Sequence, residues 1–291
     1  MAPHVGASGP SKGAFSRAGG LVRAGLRIGA ALVLALSIYL GLIQLGLVRS
    51  PLAPSAGGDI ALARGEQAGL RVLFVGNSFT STNSMPTLVG QLAAGDHGAP
   101  AILAVQYAAP GWSLQSASRD DGLTALLDDV RWNVVVLQEQ SQIPSFSPYE
   151  RDREMLPFAR ELISDIRASV ARPMLFMTWG YEDGDRENVP EDTFTAMQAR
   201  LEEGYSDLAA ELSVPIAPVG LAWAEALRRD PELELWDSDG KHPSRLGSYL
   251  TACVFYGILS GRDPTQSGFT AGLDEADARL LQRVASDVAN G

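Results

Sequence analysis

Cysteine is almost missing from this chain: Cys253 is the only one in 291 residues, so no intramolecular disulfide can form. It falls within the apolar run Tyr249 to Leu259 and reads as an inert core residue. Histidine is nearly as scarce, with only His4, His97 and His242. Two folded histidines and scattered carboxylates give no zinc-ligand spacing, so neither a metal nor a cofactor is expected. Acid is missing from the start of the chain: no Asp or Glu precedes Asp59. No internal repeat is evident.

Where acid is missing, base is present. Lys12, Arg17, Arg23, Arg27 and Arg49 flank an uncharged apolar stretch of 21 residues, Ile28 to Val48. At about 1.5 Å per residue, such a helix reaches across a hydrocarbon core of about 30 Å. The positive charge lies mainly on its N-terminal side, which keeps that end cytoplasmic and puts the rest outside. The segment reads as an uncleaved signal-anchor in a bacterial cytoplasmic membrane. A cleaved signal leading to secretion is the rival, with small residues at Ala53-Pro-Ser-Ala56, and a buried core helix is a third reading.

Residues 1–27 read as a disordered basic tail and 49–68 as a linker rich in Pro, Ser, Gly and Ala. Beyond residue 50, 34 acidic side chains stand against 18 basic ones, a net of −16. So acidic a region repels nucleic acid, which is excluded as a partner. The oligomeric state is not legible.

From Gly69 the pattern alternates. Short β-branched runs predict strands at Val72–Val75, Ile102–Gln106, Asn133–Leu137, Met174–Thr178 and Val214–Ala217. Helical stretches fall at Met85–Ala94, Gly122–Leu127, Tyr149–Ala171, Thr193–Leu212 and Ser248–Leu259, with a final one near Leu273–Val288. Alternation of this kind predicts an α/β fold, a parallel sheet of about five strands with helices on both faces. Right-handed crossovers bring the carboxyl ends of the strands to one edge, where ligands bind.

Four polar segments converge there: Gly76-Asn77-Ser78, Ala109-Pro-Gly111-Trp112, Gln138-Glu-Gln140-Ser141 and Asp239-Gly-Lys-His242. A serine acts as a nucleophile when a base reaches it, and the base needs a group to fix its tautomer. Ser78, His242 and Asp239 are candidates for those roles. The N–H groups of Ser78 and Gly111, with a carboxamide from Gln140 or Gln138, are candidates for an oxyanion hole. His97 lies in a turn before the second strand, at the opposite edge. Asn77, Trp112, Trp179 and Trp236 are candidate pocket residues, the tryptophans as a wall for a ring such as a sugar. Taken singly, each of these segments is also an ordinary turn, and each tryptophan an ordinary core residue.

Gly76-Asn77-Ser78-Phe79, the glycine after the second strand and Asp239-x-x-His242 resemble the blocks of the SGNH, or GDSL-like, hydrolases. Leu137-Gln-Glu-Gln-Ser, Phe176-Met-Thr-Trp-Gly180 and Asp239-Gly-Lys-His-Pro look like an uncharacterised bacterial branch. The resemblance implies a flavodoxin-like three-layer α/β/α sandwich over residues 69–264, with 265–291 as a helical extension. It implies Ser78 as nucleophile, Asp239 and His242 as acid and base, and Gly111 as an oxyanion donor. The third block departs from the family's Gly-x-Asn-Asp: aligning strand ends puts Gln140 on the asparagine, with Gln138 as the alternative. The implied activity is hydrolysis of a small-molecule or glycan acyl ester. An acyltransferase using the same serine and an inactive binding domain are the alternatives.

Overall fold

The computed structural model describes Met1, residues 54–57, Ile60, Ala63 and residues 69–290. The expected basic tail, the apolar segment 28–48 and most of the expected linker lie outside the described residues. No helix among the described residues is long and apolar enough to cross a membrane.

Six strands form one sheet: β1 (Ser55–Gly57), β2 (Leu70–Gly76), β3 (Ile102–Ala108), β4 (Val134–Leu137), β5 (Arg172–Phe176) and β6 (Ile216–Ala217). Their spatial order is β1-β3-β2-β4-β5-β6. The five expected strands are all parallel, while β1 runs antiparallel along β3 with Ser55 opposite Ala108. β1 falls inside the stretch read as a linker. Its pairing uses main-chain groups, so small residues there give no apolar signal, and it covers the sheet edge that β3 would otherwise expose.

Ten helices are resolved in full among the described residues and pack around the sheet: α1 (Ser78–Ser81), α2 (Met85–Ala94), α3 (Leu114–Ser118), α4 (Asp121–Asp129), α5 (Pro148–Glu154), α6 (Leu156–Ala168), α7 (Phe194–Leu212), α8 (Val219–Arg229), α9 (Arg245–Ser260) and α10 (Glu275–Asn290). Strand alternation sends Val72, Phe74, Val134, Val136 and Phe176 to one face, against α2, α8, α9 and α10. Leu73, Val75, Val135, Leu137 and Leu175 face the other way, onto α3, α4, α6 and the end of α7. Each such side chain contributes roughly 1.5–3 kcal/mol on burial, so both layers are needed to hold a sheet this short.

Two expected elements change. The single helix over Tyr149–Ala171 breaks at Met155 (φ −121°, ψ −55°), because Pro157 has no N–H to give and its ring would strike the preceding turn. The C-terminal helix is not an appendage: Ala278, Leu281, Val284 and Ala285 are fully buried in the core shared with α9.

β2 lies between β3 and β4, so the chain leaves it to one side and later returns to the other. That reversal opens a crevice at the carboxyl end of β2, where Ser78 follows.

Candidate active site

Gly76 ends β2 because nothing larger fits. A Cβ there would collide with Gln138 Oε1 and Thr80 Oγ1. Asn77 then caps α1, its Oδ1 accepting from Phe79 N at 3.0 Å. It is buried, with its N–H donating to Gln138 Oε1 (2.9 Å) and its Nδ2 to the Trp112 carbonyl (2.9 Å). Ser78 therefore follows a firmly bonded Asn77 at the mouth of the sheet.

The second half arrives on a tight loop. Gly240 adopts φ +65°, a conformation that favours glycine, and its N–H closes a turn onto the Asp237 carbonyl at 2.9 Å. Asp239 Oδ1 accepts from the N–H groups of Lys241 (3.0 Å) and His242 (2.9 Å). Trp179 Nε1 donates to the Lys241 carbonyl at 3.0 Å, and Ser244 caps α9 immediately after.

The two halves meet. His242 Nε2 is 2.8 Å from Ser78 Oγ, and His242 Nδ1 is 2.5 Å from Asp239 Oδ2. Burial opposes ionisation of Asp239, but hydrogen bonds from His242 and the two backbone N–H groups outweigh it and hold its carboxyl down to about 2. A hydroxyl, an imidazole and a carboxylate in an unbroken hydrogen-bonded row can move a proton off the serine.

Solved structures carry the same fold. A DUF4886 family protein from Bacteroides uniformis superposes with a TM-score of 0.64 at 19% identity, covering 75% of this chain and 94% of that one. A protein of Slackia heliotrinireducens assigned to the SGNH hydrolases matches at TM-score 0.54 and 27% identity, covering 66% of this chain and 100% of that one. The fold is that of the SGNH hydrolases. No protein-family model matches the chain, and no curated protein sequence does either.

Beside Ser78 lies a cleft of about 330 Å³, lined by Asn77, Phe79, Pro110, Gly111, Gln140, Ser141, Tyr181, Lys241 and His242 as well as the serine. Gly111 takes φ +69°, and a Cβ there would meet no atom within 4 Å. Its glycine serves the backbone conformation, not a close approach. Among the described residues, neither Ser78 N–H nor Gly111 N–H donates to another group.

The two glutamines part company. Gln138 is buried, its Oε1 accepting from Asn77 N and Thr80 Oγ1 and its Nε2 donating to the Glu139 carbonyl at 2.5 Å. Both ends are committed to the frame. Gln140 lines the cleft instead, its Oε1 accepting from Gln142 N (2.8 Å) and Ile143 N (3.2 Å). Its Nε2 gives one bond to Gln142 Oε1 at 3.2 Å and keeps a second hydrogen for a ligand.

The expected aromatic wall is absent. Trp179 is fully buried, stacked between Phe79 (centroids 4.6 Å apart) and Trp223 (4.2 Å). Trp236 packs on Phe194 and Trp223 and donates to the Gly180 carbonyl, and Trp112 packs on Tyr107. A ring as large as Trp179 buries more area in the core than at a lip, and the N–H groups of Trp179 and Trp236 both meet carbonyls. His97 is exposed in the turn before β3, away from the site, and Cys253 is buried, which pushes its thiol up.

Several residues at the site carried no sequence signal. Asn83, at φ 54°, ties the turn after α1 to the histidine loop through Pro243 O (3.1 Å), Ser244 O (3.0 Å) and Ser248 Oγ (2.9 Å). Tyr181 shares a hydrogen bond with Ser141 (2.7 Å) at the cleft, and Lys241 lies over its ring, 4.9 Å from the centroid. A left-handed asparagine is the nearest to a legible cue, since that residue type tolerates the conformation.

Proposed function

We propose that this chain is an ester hydrolase of the SGNH type, acting on a small acyl ester. Ser78 Oγ attacks the acyl carbon as His242 Nε2 takes its proton, and Asp239 holds the imidazole and balances its charge. The negative charge that gathers on the carbonyl oxygen falls to the N–H groups of Ser78 and Gly111 and to Gln140 Nε2. Collapse expels the alcohol, which takes the proton from the imidazolium. Water then repeats the attack on the acyl-serine and releases the acid. The row Ser78–His242–Asp239, at 2.8 and 2.5 Å, is the observation that carries this reading.

An alcohol in place of water at the second step would give an acyltransferase, and product analysis separates the two. A glycan acceptor loses the support of a tryptophan wall, so the substrate is stated only as an acyl ester. The test is a fluorophosphonate probe on the purified domain together with p-nitrophenyl acetate turnover. We expect labelling that Ser78→Ala abolishes; a chain that neither labels nor turns over would be a binding domain.

We also infer that residues 28–48 anchor the chain in the cytoplasmic membrane, with the domain outside, on the strength of the basic N-terminal flank. Protease added to intact spheroplasts should digest the domain. Its survival while an extracytoplasmic control is cut would overturn this topology, and a soluble domain lacking residues 1–50 would favour the secreted form.

A further inference from the structure

Glu139 is fully buried, and among the described residues no cation forms an ion pair with it. A carboxyl group in such a place is costly unless its oxygens are bonded. Its Oε1 accepts from Leu114 N at 2.9 Å and from Gln140 N at 2.6 Å, while Oε2 has no hydrogen-bond partner among the described residues. Burial pushes the carboxyl up to about 7 against the pull of those two bonds.

The two donors come from different loops. Leu114 opens α3, three residues after Gly111, and Gln140 belongs to the loop after β4. A single oxygen therefore ties together the two segments that bring Gly111 and Gln140 to the cleft. The neighbouring Gln138 does the same for the Asn77–Thr80 turn, so adjacent side chains bind all three segments into one frame.

We propose that Glu139 is a positioning residue that sets the distance between the two oxyanion donors, Gly111 N–H and the Gln140 carboxamide, by bridging Leu114 N and Gln140 N. This rests on the hydrolase reading above. Donors aimed at a charge that develops only in the transition state affect kcat far more than substrate binding. A shift of about 1 Å in such donors costs up to roughly 10²-fold in rate. A carboxyl that merely staples the fold would change stability and leave the kcat of folded enzyme alone.

The experiment measures kcat and KM for p-nitrophenyl acetate, with thermal melting, in wild type, Glu139→Ala, Glu139→Asp and Glu139→Gln. Loss of the bridge in Glu139→Ala should lower kcat by about 10- to 100-fold with KM within about twofold. Aspartate, one methylene shorter, cannot span both N–H groups and should fall likewise; it also stands in if the alanine variant does not fold. Glutamine keeps the accepting oxygen and puts its NH₂ where Oε2 has no partner, so most of the kcat should return. An active wild type with kcat unchanged in the alanine or aspartate variant overturns the positioning role alone, as does a glutamine variant as impaired as alanine. An inert wild type overturns the hydrolase reading and this one with it.

Discussion

Ser78→Ala is expected to abolish fluorophosphonate labelling and to reduce ester turnover by roughly 10⁴-fold or more. Without Oγ no acyl-enzyme forms, and only direct attack of water in the cleft remains. His242→Ala should be nearly as severe, because the hydroxyl at 2.8 Å then has no base. The two residues serve one step, so the double variant should be scarcely worse than either single one. Multiplying effects would sink the shared step. Ser78 opens α1 and His242 lies on a loop, both half-buried at the mouth of the sheet, so melting temperatures should barely change. Asp239→Asn should cost less than either, since backbone bonds to residue 239 partly hold the loop. Asp239, held down to about 2, stays ionised at any pH well above that value. The carboxylate's lowered value has a separate consequence: its contribution to stability is complete above its ordinary 3.8 and is lost as pH falls through about 2.

Much of this site was legible because acyl transfer asks for residue types at chain positions that patterns reveal. The apolar run into Gly76 marks a buried strand, and a serine just past it must stand at the mouth of a parallel sheet. Asp239 and His242 are close enough in sequence for one loop to present both. The second partner of each group was not legible. Whether a tryptophan near a strand end faces a cleft or the core depends on where α8 lies, and α8 follows Pro218 with no break that sets it apart in the sequence. Trp223, on that helix, is what draws Trp179 inward. Gln138 and Gln140 look alike in sequence, and only the bonds from Asn77 N and Thr80 Oγ1 make one of them part of the frame. The partners of Glu139, which lies between them, were not legible because they are main-chain groups, one at residue 140 and one about 25 residues away at the start of α3, and a backbone donor has no letter in the sequence. β1 escaped notice for the same reason.

Gln140 is the sharpest test of how the chain departs from its superfamily. Its carboxamide cannot be reversed, because Oε1 accepts from two backbone N–H groups that would otherwise confront an NH₂. The amide is therefore held with its donor end free for one bond beyond that to Gln142, at the edge of the cleft that contains Ser78. Gln140→Ala should lower kcat by roughly 10²–10³-fold, about 3–4 kcal/mol of transition-state stabilisation, with KM little changed. Gln140→Asn keeps the amide on an arm one methylene shorter. It should lose either the backbone anchors or the reach to the oxyanion, and so fall most of the way toward alanine. Gln138→Ala should behave differently: it leaves Asn77 N–H and Thr80 Oγ1 without their acceptor, so melting temperature drops along with activity. Steady-state kinetics beside thermal melts separate the two glutamines. A Gln140→Ala enzyme with kcat within about twofold of wild type would leave the oxyanion to the two backbone donors alone, since the loss of a true donor costs far more. The departure from asparagine in the third block would then mark a position the chemistry does not use.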